Sequence, residues 1–195
     1  PQLVKLMDLL AGHPLSMRVI LPLLEERSAA ELMKAVADGM EIFKKSEDDA
    51  SARLYATLEV AGEALPQELR PLLIPLSLYE TYLDLGILEF VAAQVDPSWT
   101  RDRLEQFADI MVRMGLIFRH HNRVYELHPA LTRFLRSVES ESAKDDVKDT
   151  WARAFVDVMG TLANEFAKRP LHEQRVGFHL FGASLYHAMA KAKRL

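Results

Sequence analysis

The chain has 195 residues and a net charge of −4, with 49% hydrophobic and 27% charged residues, as is ordinary for a globular protein. It has no cysteine, which excludes a disulfide scaffold and a thiolate metal site. The negative balance gives no overall attraction to nucleic acid or anionic membranes. No apolar run approaches the roughly 20 residues that span a bilayer, and no signal peptide opens the chain. We therefore expect a cytoplasmic protein.

The first residues predict short amphipathic helices. Apolar residues recur at helical spacing over 3–10, and Gly12 is suited to the left-handed cap that ends such a helix. Pro14 is suited to the first position of the next helix, where its missing N–H costs nothing. That helix is expected to end near Arg27.

A third helix is predicted over Ala29–Asp38. Ser28 and Glu31 have the spacing of a capping box at its start, and Gly39 is expected to end it. Residues 1–44 are therefore predicted to form a small helical bundle.

The middle of the chain predicts further helices before a hairpin. Residues 44–51 are polar and predict a linker. Helical spacing then marks four segments, which are 52–62, 67–75, 80–95 (at least in part) and Arg101–Met114. Leu76–Tyr79 is expected to be an apolar connector.

A β-hairpin is predicted next. Apolar residues 116–118 and the alternating residues 124–127 flank a polar turn over His120–Arg123. Asn122 tolerates the positive φ of such a turn. Pro129 then opens another helix. A helix, a hairpin and a helix in this order are typical of the wing of a winged-helix domain, here predicted over residues 45–138.

The last part, residues 139–195, is predicted as a linker and a helical hairpin. Residues 137–149 are rich in Ser, Glu, Asp and Lys, which favours a helix end followed by a solvated linker. Apolar faces follow from Trp151 to Phe166 and from Phe178 to Met189, interrupted at Pro170. Such a pair, as in TPR-like repeats, would leave one hydrophobic face without a neighbour. The fold class is thus mainly α with one small β-hairpin.

Motifs for catalysis are missing from the sequence. There is no phosphate-binding G-x-x-x-x-G-K-[ST] loop and no G-x-G-x-x-G or G-x-S-x-G segment. His172 and Glu173 begin a zincin-like motif, but Val176 stands where its second His is needed. The histidines show no metal-ligand spacing, which favours surface roles. We expect no enzymatic activity and no bound cofactor or metal for this chain.

DNA binding is one alternative for a winged helix. The Arg101–Met114 segment stands where a recognition helix would, and it carries three arginines. Asp102, Glu105 and Asp109 offset them, whereas a DNA-reading helix needs an uncompensated basic face. A packing role for the winged helix is therefore favoured.

Two further stretches are informative as an ordered pair, Gly12-His13-Pro14-Leu15 and Leu127-His128-Pro129. Each alone is explained by local capping of a helix. Together, bracketing a winged-helix pattern, they resemble the STAND-class signal-transduction ATPases, which include the NB-ARC group (AP-ATPase-like). In that family a P-loop domain precedes a helical bundle with a Gly-x-Pro-Leu motif. A winged-helix domain with a hydrophobic-His-Asp motif follows, and then sensor repeats.

The resemblance implies roles for two residues. Pro14 would pack near the adenine of ADP, and His128 would hydrogen-bond the β-phosphate and so lock the resting state. The family's Asp after this His is Pro129 here, so the role of that carboxylate is missing.

The same resemblance implies the partners. They are an N-terminal P-loop domain of the same polypeptide, which would bind ADP or ATP, C-terminal repeats, and an oligomer on activation. The chain starts without Met and ends within a helical pattern, which suggests a fragment of that longer protein.

Two other functions remain open from the sequence. One is a winged-helix transcription regulator that binds DNA. The other is a helical adaptor that binds a protein partner through the face from Phe178 to Met189.

Overall fold

The computed structural model of the protein describes residues 2–45, 47–142 and 145–195. Within them the chain is mainly helical and has one three-stranded antiparallel sheet, so the mainly-α prediction is confirmed. Two compact units can be distinguished, Pro1–Arg70 with Ile110–Leu116 and Pro71–Asp109 with Ile117–Leu195. Among the described residues, no helix combines the length and apolar character that crossing a bilayer requires.

The first unit is built on four helices, α1 (Gln2–Leu9), α2 (Pro14–Leu23), α3 (Ala29–Phe43) and α4 (Asp49–Ala64). Their apolar faces meet in one core. Its buried members are Leu6, Leu10, Ile20, Leu23, Leu32, Val36, Met40, Ala56 and Val60. Helix α4, which the sequence analysis grouped with residues 45–138, therefore shares a core with residues 1–44.

The start of α3 agrees with its prediction, but its end does not. The capping box is present, because the Ser28 N–H donates to Glu31 at 2.8 Å and the Glu31 N–H donates to the Ser28 hydroxyl at 3.3 Å. Gly39 does not end the helix, which continues to Phe43. A Cβ at Gly39 would lie 2.9 Å from the Cβ of Ala56. The glycine is therefore needed for close packing of α3 against α4.

The helix predicted over 67–75 is largely absent. The chain instead forms a short 3-10 helix, Arg70–Leu72, and the four-residue α5, Leu73–Leu76. Pro66, Pro71 and Pro75 explain this, since proline lacks the N–H of a helical ladder and disfavours helix at the residue before it.

The second unit continues with β1 (Tyr82–Asp84), α6 (Leu85–Val95), α7 (Arg101–Arg113), β2 (Ile117–His121) and β3 (Val124–Leu127). Helix α7 ends in the segment that belongs to the first unit. The predicted hairpin is present, and Asn122 has the expected positive φ of 48°. The strand order is β1-β3-β2, with Leu83 paired with Tyr125 and Ile117 with Leu127. Strand β1 was not predicted, because its residues lay in a segment expected to be helical.

Three more helices complete the second unit, α8 (Pro129–Ser142), α9 (Asp145–Ala167) and α10 (Leu171–Ala192). Of the helix end and solvated linker predicted over 137–149, the helix end is present, since α8 runs to Ser142. The linker is wrong for residues 145–149, which belong to α9, while 143–144 lie outside the described residues. Glu and Lys are good helix formers. The first turns of α9 also lead into a buried face, in which the rings of Trp151 and Trp99 lie 6.5 Å apart.

The helical hairpin α9–α10 packs against the rest of its unit. Helix α9 contacts α5 and α6, and the rings of Phe155 and Tyr79 meet edge to face at 5.2 Å. On α10, Phe181 is buried, whereas Phe178 and Met189 are 48% and 63% exposed. The hydrophobic face expected to lack a neighbour is thus covered on α9 but partly exposed on α10.

Candidate functional site

The Gly-x-Pro-Leu motif lies at the junction of α1 and α2. Ala11 and Gly12 both have positive φ, of 50° and 64°, and they turn the chain between the two helices. His13 is the N-cap of α2, and its Nδ1 accepts a hydrogen bond from the backbone N–H of Ser16 at 3.4 Å. Pro14 occupies the first helical position and is exposed.

The first motif is linked to α4 through two hydroxyl groups. Ser16 is fully buried, and its Oγ lies 3.4 Å from the Nδ1 of His13 and 3.4 Å from the Oγ1 of Thr57. The Thr57 hydroxyl donates to the backbone carbonyl of Arg53 at 2.8 Å. The start of α2 is therefore held by polar contacts as well as by its cap.

His128 lies between the last residue of β3 and the first residue of α8. Its Nδ1 accepts a hydrogen bond from the N–H of Ala130 at 3.2 Å, so it caps α8 as His13 caps α2. The ring is half-buried, and its centroid lies 6.3 Å from that of Phe118. The imidazole is thus held at the base of the hairpin, outside the apolar interior.

The cap determines the tautomer of His128. Because Nδ1 accepts a hydrogen bond, the neutral ring carries its proton on Nε2. That N–H is the group with which the ring can donate to an anion. A proton on Nδ1 would replace the acceptor by a donor and break the cap. Helix capping and donation to a phosphate are therefore compatible only while the imidazole is neutral.

Pro129 follows His128, at the position where the family that the sequence resembles has Asp. Proline suits the first position of α8, because the N–H of a first helical residue has no acceptor within the helix. It brings no carboxylate to this end of the hairpin, and any chemistry at the site depends on the imidazole.

The exposed surface of α7 and its neighbours is electrostatically mixed. Arg119 pairs with Asp109 at 3.4 Å, and Arg123 with Glu89 at 3.2 Å. Burial raises the pKa of Glu89, but hydrogen bonds from Arg123 and Arg101 outweigh it, so the net shift is downward. These arginines are neutralised by neighbouring carboxylates, which disfavours phosphate binding along a DNA backbone.

Comparisons of the chain with protein-family models, with curated proteins and with solved structures found no match. The assignment of function therefore depends on the residues themselves. Pro14 belongs to the first unit and His128 to the second, and each stands at the start of a helix.

Sequence reasoning missed one group of polar residues. His120, His121 and His179 were treated as separate surface residues, yet they line one groove together with Arg175. No spacing in the sequence could have indicated this, because the two sides of the groove come from the hairpin and from α10.

Proposed function

We propose that this chain is the regulatory part of a STAND-class signalling ATPase. In this proposal the winged-helix part holds an ADP-bound resting state and relays a signal from C-terminal repeats. The observation that carries the proposal is the position of His128, a half-buried imidazole that follows β3 and caps α8 through Nδ1.

The topology around His128 supports a winged helix. Strand β1 precedes α6 and α7, and the β2–β3 hairpin follows them, with strand order β1-β3-β2. This succession is the one expected of a winged helix, with β2–β3 as the wing. The α9–α10 pair is compatible with the start of a helical-repeat region.

The proposed mechanism couples nucleotide to domain position. A P-loop domain of the same polypeptide would bind ADP, Pro14 would pack near the adenine, and the Nε2–H of His128 would donate to the β-phosphate. A ligand that contacts both domains in only one arrangement stabilises that arrangement. Loss of the contact would release the winged helix and permit activation.

The P-loop domain would supply the chemistry of hydrolysis. Phosphoryl transfer requires a phosphate-cradling loop, its Lys and a Mg²⁺-binding acid, which this proposal assigns to that domain. We therefore expect the isolated chain to show no ATPase activity and at most weak ADP binding by calorimetry. Tight nucleotide binding by the chain alone would contradict this division.

The key experiment separates the cap from the phosphate contact. In the full-length protein loaded with ADP, release of a fluorescent ADP analogue is measured for His128→Asp and His128→Asn. Both residues are good N-caps, but Asp repels a phosphate. His172→Asp is the control, because it adds the same carboxylate at an exposed position that the proposal does not place at the nucleotide.

We expect His128→Asp to release ADP at least tenfold faster than wild type, with His128→Asn in between and His172→Asp unchanged. A tenfold effect corresponds to about 1.4 kcal/mol. If His128→Asp keeps ADP as long as wild type, His128 is a helix cap only and the proposed lock is removed.

An adaptor function is the second candidate, because α10 exposes apolar side chains. Tyr186 is 75% and Met189 63% exposed. If α10 docks a protein partner, the double variant Tyr186→Ser/Met189→Ser loses that partner in a co-precipitation assay and retains ADP normally. His128→Asp would show the opposite behaviour.

A further inference from the structure

A groove of about 550 Å³ lies in the second unit, between the tip of the β2–β3 hairpin and α10. His120, His121 and Val124 form its hairpin side. Neighbouring residues on a strand normally point to opposite faces, but the pairing shifts between Arg119 and His121. Such a bulge re-aims side chains, and it explains how two consecutive histidines line the same groove.

The α10 side combines charge with apolar surface. Arg175, Val176, His179 and Leu180 line it. Arg175 and His179 are one helical turn apart, as are Val176 and Leu180, so each pair lies along one strip of the helix. A polar strip therefore runs beside an apolar one.

No acidic side chain in the groove lining offsets the positive charge of Arg175. No Asp or Glu is among the groove-lining residues. Asp84, which pairs with Val124 across the sheet, accepts hydrogen bonds from the N–H groups of Gly86 and Ile87 at 2.6 and 3.1 Å. Its carboxylate is thus engaged in capping α6.

Two of the polar groups have no protein partner. Within the described part of the chain, Arg175 and His179 make no hydrogen bond or ion pair. By contrast, Arg169, which lies just before α10, pairs with Glu173 at 3.4 Å. A guanidinium is always charged and presents a fork of donors that matches a carboxylate or phosphate. The open groove thus presents a cation without a counter-charge.

We propose that this groove binds an organic anion, in which a carboxylate or phosphate headgroup is joined to a short apolar chain. Arg175 binds the headgroup, with the imidazoles of His179 and His121 as further donors. The apolar chain lies against Val124 and Leu180. The volume falls within the roughly 300–1,000 Å³ typical of small-ligand sites. This effector site is separate from the nucleotide contact at His128 and does not depend on it.

The test uses the 195-residue chain and isothermal titration calorimetry. Octanoate and octyl phosphate are the probes, and octan-1-ol, acetate and inorganic phosphate are the controls that lack either charge or chain. We expect both octyl anions to bind at least tenfold more tightly than any of the three controls. Their relative affinity then identifies the preferred headgroup.

Variants locate the site. Arg175→Gln should weaken binding of both octyl anions at least tenfold, and His179→Gln should weaken it to a smaller extent. Arg133→Gln and His172→Gln are matched controls, because both residues are exposed and neither lines the groove. Thermal melting of each variant checks that it remains folded.

Three results would overturn the proposal. If octan-1-ol binds as well as octanoate, the groove is only an apolar depression. Inorganic phosphate binding as tightly as octyl phosphate would reduce it to a nonselective anion patch. Unchanged affinity in folded Arg175→Gln would place any bound anion elsewhere.

Discussion

The two histidine-capped helix starts use the same residue pair in different surroundings. His13 is exposed and follows the left-handed turn at Gly12, whereas His128 is half-buried and directly follows β3. In both, Nδ1 accepts a backbone N–H and a proline occupies the first helical position. Because the same cap forms in both surroundings, it depends only on neighbouring residues. Any further role of His128 would therefore come from its position at the base of the hairpin.

The largest effect should come from removing each cap. His128→Ala should lower the free energy of unfolding by about 2 kcal/mol and His13→Ala by about 1 kcal/mol, within the range for N-cap losses. The His128 substitution should lower the free energy of unfolding more, because the His128 ring is also half-buried near Phe118. Urea denaturation of the chain measures both.

The Asn variants sharpen this comparison. Both His13→Asn and His128→Asn restore a side-chain acceptor. His13→Asn should remain within about 0.5 kcal/mol of wild type, whereas His128→Asn also loses the ring contact with Phe118 and should recover about half of the loss seen in His128→Ala. If Asn is as destabilising as Ala at either position, the hydrogen bond to Nδ1 is not what stabilises that helix start.

The turn before α2 provides the next prediction. Ala11 has a φ of 50°, a conformation that disfavours residues with a Cβ. Ala11→Gly should therefore raise the melting temperature, with a gain of roughly 0.5–1 kcal/mol. Ala183→Gly, at an exposed position within α10, is the control. It should destabilise by about 1 kcal/mol, and equal signs for the two variants would contradict the argument.

The smallest effect concerns His187, whose role contrasts with both capping histidines. Its Nδ1–H donates to the carbonyl of Leu78 at 2.9 Å. Burial and then the charge of Arg136 lower the pKa of His187, against the opposing charge of Glu80. The folded state therefore binds this proton less readily than the unfolded state.

The consequence is a loss of stability on acidification. It should set in as pH falls through the ordinary range of an imidazole, about 6.5, and continue until the lowered folded-state pKa is passed. Denaturation midpoints between pH 7.5 and 5.5 should fall less steeply in His187→Gln than in wild type. His172→Gln, at an exposed position, should keep the wild-type slope, and a parallel slope in His187→Gln would refute the assignment.

Local signals predicted the hairpin and the helix starts well. Each of these signals depends on residues that are close in sequence. They are Asn122 at the turn, the capping box at Ser28 and the two His-Pro pairs. The structure shows that His128 caps α8. The sequence analysis had given such local capping as the alternative explanation of the motif. A contact with ADP remains a proposal, because it needs a second molecule.

Features set by distant residues could not be predicted. Strand β1 exists because Leu83 pairs with Tyr125, which follows two intervening helices. Gly39 resembles a helix end in sequence, but it lies within α3 because Ala56 of α4 packs against it. The groove depends on α10 lying beside the hairpin, so neither Arg175 nor His121 indicates it alone.

The most direct test of the central claim is ¹⁵N NMR of a histidine-labelled polypeptide that joins this chain to the proposed P-loop domain, with and without ADP. The His128 resonances are assigned through His128→Asn, and those of His172, at an exposed position on α10, serve as the internal reference. We predict that Nδ1 of His128 remains an unprotonated acceptor in both states, while its Nε2 resonance shifts on ADP binding and that of His172 does not. An Nε2 resonance that is identical in the two states would contradict the claim that His128 holds the phosphate.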